Sequence, residues 1–243
     1  MIRLKRSISK EVTLVALGKY PIIFNDFVNN VTLFAPDHKK VLVRDQFHIA
    51  CPRDWVLVQG PEQFSMAGNA NLGWKAVDPT HDIFYIGDDC RLLDFGTIEK
   101  LRQVAYSDAS IGMVSPKIIG GANNPLQTNP PMDREVVYTD QHLALVCTYI
   151  KRELINAIGY LDDVTFVGYG YDDVDYSYRA KKAGFKLAIA PQVSVQHGVR
   201  KMDNGETRKG TETFIINHDG EYDPIQAQCE ANERAFKKKW GIS

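Results

Sequence analysis

The stretch Asp82–Cys90, "DIFYIGDDC", runs an apolar and aromatic segment directly into two adjacent carboxylates, Asp88 and Asp89. A short apolar run closed by a glycine reads as a buried strand, with the acids standing where that strand ends. Neighbouring carboxylates repel and raise each other's pKa, so the pair needs a cation, a hydrogen-bond donor or water to offset it. A solvated turn, a helix cap and a metal site all meet that need. In an open α/β sheet ligands bind beyond the carboxyl ends of the strands, and hard cations such as Mg²⁺ or Mn²⁺ prefer carboxylate oxygens.

Working outward, "EVTLVAL", "KKVLVRD", "WVLVQG", "SIGMVSPKII", "LALVCTYI" and "KLAIA" read as further strands, several apolar throughout. Helical patterns fall between them at "YPIIFNDFVNNV", "MAGNANLGWKAV", "FGTIEKLRQVAYS", "KRELINAIG" and "DDVDYSYRAKKAG". Apolar strands alternating with helices imply an α/β protein whose mostly parallel sheet is covered on both faces. The segment "GGANNPLQTNPPMDRE" and the polar stretch "VRKMDNGETRKGTET" read as long loops, a length typical of lids or binding loops. The C-terminal "DPIQAQCEANERAFKKKWG" reads as an amphipathic helix with Ala231, Ala235 and Phe236 on one face.

The chain has 243 residues, 44% hydrophobic and 24% charged, enough to bury a substantial core in one large domain. A net charge of −1 supplies no basic field for nucleic acid, which is not expected as a partner. Cys51, Cys90, Cys147 and Cys229 are widely spaced and suggest neither a zinc site nor a disulfide framework. The apolar run after the basic start is too short for a signal-peptide core, and no later segment approaches the roughly 18 apolar residues of a transmembrane helix. A cytoplasmic protein is expected, with peripheral association at a membrane through the basic N-terminus left open.

Two further groups carry chemistry. In "YGYDDVDYSYRAKKAG" the carboxylates of Asp172, Asp173 and Asp175 gather at one helix start. The helix dipole favours acids there, but three exceed what capping needs, and a surplus carboxylate held in place suits a general base. In "APQVSVQHG" a short alternating strand ends at His197, a structural histidine or a metal ligand.

In order along the chain, these segments resemble the family 2 glycosyltransferases, inverting enzymes of GT-A fold, and their rhamnosyltransferase-like branch most of all. The resemblance is carried by "QFSMAGNANLGWKAV", "DIFYIGDDCRLLD", "IGMVSPKI", "VCTYIKRELINAIGYLDD", "FVGYGYDDVDYSYRAKKAGFKLAIAPQVSVQHG" and the closing "FKKKWG". It implies a single GT-A domain over 1–243, with a nucleotide-binding half (1–110), an acceptor and catalytic half (111–200), and a lid loop with C-terminal helix (201–243). By position, Asp89 and His197 would hold Mn²⁺ or Mg²⁺, and Asp88 would lie nearer the ribose or behind the metal. Asp173 would be the base with Asp172 beside it, and Asp45, Asn71 and Arg200 would contact the donor.

The implied reaction moves a hexosyl or deoxyhexosyl group, with inversion, from a UDP-, GDP- or dTDP-type sugar to a saccharide acceptor hydroxyl. Tyr169, Tyr171 and Trp74 are able to stack on sugar or base, or belong to the core. A nucleotide-dependent dehydrogenase would need G-x-G-x-x-G after its first strand, which "ALGKYPII" does not supply. A sugar-nucleotide pyrophosphorylase would carry a Gly-rich basic loop there, and a non-catalytic carbohydrate- or metal-binding module would use the same acids.

Overall fold

The structure is a computed structural model and describes residues 11–19, 21–45, 49–61, 64–201, 207–209, 214–216 and 222–242. The basic N-terminus, most of the polar loop expected to act as a lid, and the Arg200 side chain lie outside the described residues.

The first half of the chain gives β1 (Val12–Gly18), α1 (Pro21–Phe34), β2 (Lys39–Arg44), β3 (Val56–Gln59), α2 (Met66–Lys75), β4 (Asp82–Gly87), β5 (Arg91–Leu92) and α3 (Thr97–Ala105). There follow β6 (Ile111–Ile119), α4 (Pro125–Thr128), β7 (Val137–Thr139), β8 (Cys147–Ile150), α5 (Arg152–Ile158), α6 (Asp172–Lys182) and β9 (Lys186–Gln196). The hairpins β10 (Val199–Lys201) with β11 (Thr207–Lys209) and β12 (Phe214–Ile216) with β13 (Tyr222–Pro224) precede α7 (Ile225–Trp240).

Nine strands form one sheet in the order β3-β2-β1-β4-β8-β6-β9-β5, with β7 also on β9. β1 to β4 run parallel, β8 opposes both its neighbours, β6 and β9 are parallel, and β5 and β7 oppose β9. Six strands therefore share one direction and β5, β7 and β8 oppose it, the mostly parallel sheet expected. Of the run "LALVCTYI" only its second half is strand. The N–H groups of Leu143 and Ala144 are taken instead by Ser177 Oγ (3.1 Å) and Gln127 Oε1 (2.8 Å).

Successive side chains of a strand point to opposite faces. On β1, Leu14 and Ala16 enter one core while Val15 and Leu17 enter the other. Phe24, Phe27 and Val31 of α1, with Ile98, Leu101 and Ala105 of α3, recur at helical spacing and cover the first face. Ala67, Ala70 and Trp74 of α2, Leu154 and Ile155 of α5, and Tyr176 and Ala180 of α6 cover the second. Trp74 is wholly buried, edge-on to Tyr85 and Tyr176, so it is a core residue.

β9 extends past Pro191 to Gln196, further than "KLAIA" alone implies, with a register shift opposite Pro116 and Lys117 of β6. A shift of this kind re-aims a strand. The extension carries the chain across to β5, where Arg91 pairs with Gln196 and Leu92 with Val195. On α7 the expected face of Ala231, Ala235 and Phe236 holds in part: Phe236 is buried and Ala235 half-buried, but Ala231 is exposed and Asn232 is buried in its place.

Candidate active site

The β5–β9 ladder explains how the two metal-ligand candidates meet. β5 starts two residues after Asp89, and His197 follows the β9 residue paired to Arg91, so the antiparallel register sets Asp89 beside His197. The Asp89 Oδ2 to His197 Nε2 distance is 3.4 Å. The Nδ1 atom of His197 lies 2.7 Å from the Gly121 carbonyl, which only accepts, so Nδ1 carries a proton and Nε2 is the nitrogen that faces Asp89. The loop "GGANN" supplies this support: His197 N–H donates to Ile119 O (2.8 Å), and a Cβ at Gly120 would lie 2.2 Å from the His197 carbonyl oxygen.

Asp88 is buried and accepts from Lys19 N–H at 2.7 Å, while its own N–H donates to Leu17 O at 3.1 Å. Burial, and then Asp89, hold its carboxyl well above the usual range. Arg91 braces the turn by donating to the carbonyls of Asp88 (2.8 Å) and Cys90 (2.6 Å).

The three carboxylates at the start of α6 divide. Asp175 is fully buried and accepts from Arg179 Nε (2.8 Å), Lys239 Nζ (2.7 Å) and Trp240 Nε1 (2.8 Å), which makes it the anchor of α7. Asp172 is buried, and burial followed by the Asp173 charge raises its carboxyl. Asp173 is the more exposed of these two. Its carboxyl is raised by burial and held back by backbone N–H groups of Val174 and Leu145, with Val174 N 2.8 Å from Oδ1. Burial, and then the charges of Asp173, Asp172 and Asp89, push the Tyr169 hydroxyl up.

The donor-side candidates also separate. Asp45, buried just beyond β2, takes Asn69 Nδ2 at 3.4 Å. Asn69 Oδ1 is buried with no hydrogen-bond partner among the described residues, and sequence reasoning passed this residue over. Asn71 points elsewhere: its amide donates to Leu161 O (2.9 Å) and accepts from Leu161 N (2.9 Å), tying α2 to the loop before α6. That reciprocal pair commits Asn71 to holding the backbone. Tyr171 packs on Phe236 with ring centroids 5.8 Å apart.

Among the described residues no three His, Cys, Asp or Glu side chains converge as a complete metal site. The Asp89–His197 pair nevertheless fits a divalent cation. Two lone-pair-bearing atoms facing each other at 3.4 Å repel unless a cation or proton lies between them. Adjacent ligands of an octahedral ion with bonds of about 2.1 Å lie about 3 Å apart, and such ions take one or two carboxylates and complete their shell with water and phosphate oxygens.

No family model and no curated protein matches the chain. Among solved structures it resembles one described as GalNAc-T7 with UDP, GalNAc and Mn²⁺, at a TM-score of 0.62 and 14% identity. The likeness covers 77% of this chain and 44% of that one, so the chain spans less than half of its length. At this identity the likeness is one of fold, and it shows the GT-A-like α/β architecture expected from the sequence. No helix among the described residues is long and apolar enough to cross a membrane.

Proposed function

We propose that the chain is an inverting, metal-dependent glycosyltransferase, similar to family 2, that moves a hexosyl or deoxyhexosyl group from a nucleoside-diphosphate sugar to a saccharide hydroxyl. The observation that carries this reading is the Asp89–His197 pair, brought to 3.4 Å by the β5–β9 ladder at the end of a central strand, in a fold that also gathers Asp172 and Asp173 at the start of α6. On this reading residues 1–110 hold the donor, with Asp45 and Asn69 at the nucleoside and Asp88 at the ribose. Asp89 and His197 hold Mn²⁺ or Mg²⁺, which when bound offsets negative charge developing on the leaving diphosphate. UDP is the donor nucleotide tried first, because the structural neighbour holds UDP with Mn²⁺.

Asp173 accepts the acceptor's proton. The Val174 N–H on Oδ1 holds the carboxylate in place for that task. A carboxyl raised by burial is a stronger base than an ordinary one and still ionises near neutral pH. As that proton moves to Asp173, the acceptor oxygen bonds to the anomeric carbon and the bond to the diphosphate breaks, its electron pair leaving with the diphosphate. Asp172, deeper in the site, orients the acceptor.

The test is calorimetric binding of UDP, GDP, dTDP and CMP with and without Mn²⁺, on the wild type and Asp89→Asn. Mn²⁺-dependent binding of one nucleoside diphosphate, lost in D89N with the melting temperature preserved, is the expected result. Absence of metal-dependent binding across the panel, or full binding by D89N, overturns the reading.

A further inference from the structure

The backbone entering the α6 acids follows a path that side chains resist. Gly168 and Gly170 have φ of 73° and 91°, and Tyr171, at 68°, is the non-glycine residue with positive φ among the described residues. A bulky residue in the left-handed region is strained and persists only where its surroundings over-determine it. Tyr171 immediately precedes Asp172 and Asp173, so whatever fixes this turn also aims the two carboxyls.

The surroundings that fix it come from α7. Asn232 Nδ2 lies 3.0 Å from Val167 O, 3.1 Å from Tyr169 O and 3.0 Å from Gly170 O. Carbonyls only accept, so one amide NH₂ gathers three acceptors of a single turn. One helical turn to either side, the same face closes on the same segment. A Cβ at Gly168 would lie 2.4 Å from Gln228 Oε1, one at Gly170 2.8 Å from Cys229 Sγ, and Phe236 packs on the Tyr171 ring. The far end is tied as well: Asp175 N–H donates to Tyr171 O at 2.9 Å, while the Asp175 carboxylate takes Lys239 and Trp240.

We propose that Asn232 is a positioning residue of the site: through its amide on three carbonyls it holds the Gly168–Tyr171 turn in its left-handed path, and so sets where the Asp172 and Asp173 carboxyls stand. The C-terminal helix is then a clamp on the proton-accepting group and not only a cover for the sheet. This rests on the reading of Asp173 as proton acceptor, and the experiment separates the failure of one from the failure of the other.

Asn232→Ala is compared in the full chain with Arg234→Ala, an exposed position on the same helix. Amide hydrogen exchange over residues 166–173 and the ¹³C-detected pH titration of the Asp172 and Asp173 carboxyls are measured without any turnover assay. In N232A, exchange in the turn rises roughly tenfold or more and both carboxyls titrate closer to their ordinary range, while R234A leaves both unchanged. Affinity for UDP with Mn²⁺ stays within about twofold, and kcat falls with KM held.

Unchanged exchange and titration in a folded N232A overturn the clamp. So does an equal loss of UDP affinity and kcat that tracks the melting temperature alone. Where N232A does not fold, Asn232→Leu, which keeps the branched shape of the side chain and removes the donor to the three carbonyls, is read by the same two measurements and decides the question the same way. A wild type that binds none of UDP, GDP, dTDP and CMP with Mn²⁺ and does not turn over refutes the transferase reading, and exchange and titration still judge the clamp.

Discussion

Replacing Gly120 with alanine tests the support behind His197. The new Cβ would lie 2.2 Å from the His197 carbonyl oxygen, where a carbon–oxygen contact needs about 3.3 Å, so one backbone must retreat by about 1 Å. Forced shifts of that kind in packed regions cost about 1–3 kcal/mol, and a side chain at a φ of 112° adds ~1–2 kcal/mol of left-handed strain. The sum, roughly 2–5 kcal/mol, lowers the melting temperature of a chain this size by about 4–20 °C. The retreat also breaks the 2.8 Å bond from His197 N to Ile119 O and swings Nε2 away from Asp89, so Mn²⁺-dependent nucleotide binding weakens in step. Gly121→Ala is the control: its φ is 138°, but nothing lies within 4 Å of its Cβ, so it carries the backbone strain alone and loses less. Scanning calorimetry with Mn²⁺ and UDP titrations reads both variants. A G120A protein that melts within about 2 °C of the wild type with unchanged Mn²⁺ binding refutes the reasoning, as does a G121A protein that loses more than G120A.

Asp173→Asn lowers turnover by on the order of a hundred- to ten-thousand-fold and keeps Mn²⁺-dependent nucleotide binding. A dead Asp172→Asn beside a near wild-type D173N would reverse the two roles. Because burial raises the Asp172 carboxyl in the folded state, the folded form holds its proton at pH values where the unfolded chain has lost it. Stability contributed at this position is therefore greatest in acid and falls as pH rises above about 4. Urea unfolding against pH should show a shallower decline for D172N than for the wild type, and parallel curves would count against a raised carboxyl. Asp175→Ala removes the acceptor of three partly buried donors, but Lys239 keeps Asp162 at 2.8 Å and Arg179 keeps the carbonyls of Ile158 and Tyr160 at 2.7 Å. The net cost is about 3 kcal/mol, borne mostly by the Trp240 contact and visible as early loss of α7 by circular dichroism, with a cost under about 1 kcal/mol speaking against the anchor.

The strands and helices that make the sheet were legible because periodicity is a local property. "VTLVALG" and "DIFYIG" are apolar on both faces, as central strands must be, and Asp88 and Asp89 mark an edge that is real in the fold. What depends on two distant segments at once was not legible. Nothing in "RLL" announces that two of its residues pair with the end of β9, yet that pairing brings Asp89 to His197. Asn71 was expected at the donor on its place in a motif, but residues two apart on a helix point roughly 200° from each other. With Asn69 turned to Asp45, Asn71 must face away, and it does, toward Leu161. On α7 the apolar pattern found Phe236 but not the polar Asn232, which is buried because its amide meets three carbonyl oxygens of one distant turn.

The short β5–β9 contact raises the question of what keeps it in register, since a slip of one residue would turn His197 away from Asp89. Two paired residues cannot fix a register by themselves. The side chain of Asn30 on α1 does so from outside the sheet: it donates to Leu92 O at 3.0 Å and accepts from Leu92 N at 2.8 Å, copying the bonds of a neighbouring strand. Arg91 fixes the other residue, reaching the carbonyls of Asp88 and Cys90 and also Ile23 O of α1 at 3.2 Å. Leu92 and Val195 are both buried in the core that α1 covers, so a slip would also expose apolar surface. The geometry of Asp89 and His197 is therefore set by the docking of α1 as much as by the strands that carry them. The same holds at the start of α6, where α7 and not α6 alone fixes the approach to Asp172 and Asp173. In both places a candidate site residue stands at a strand end or helix start, and an asparagine on a different helix supplies bonds that the local backbone lacks.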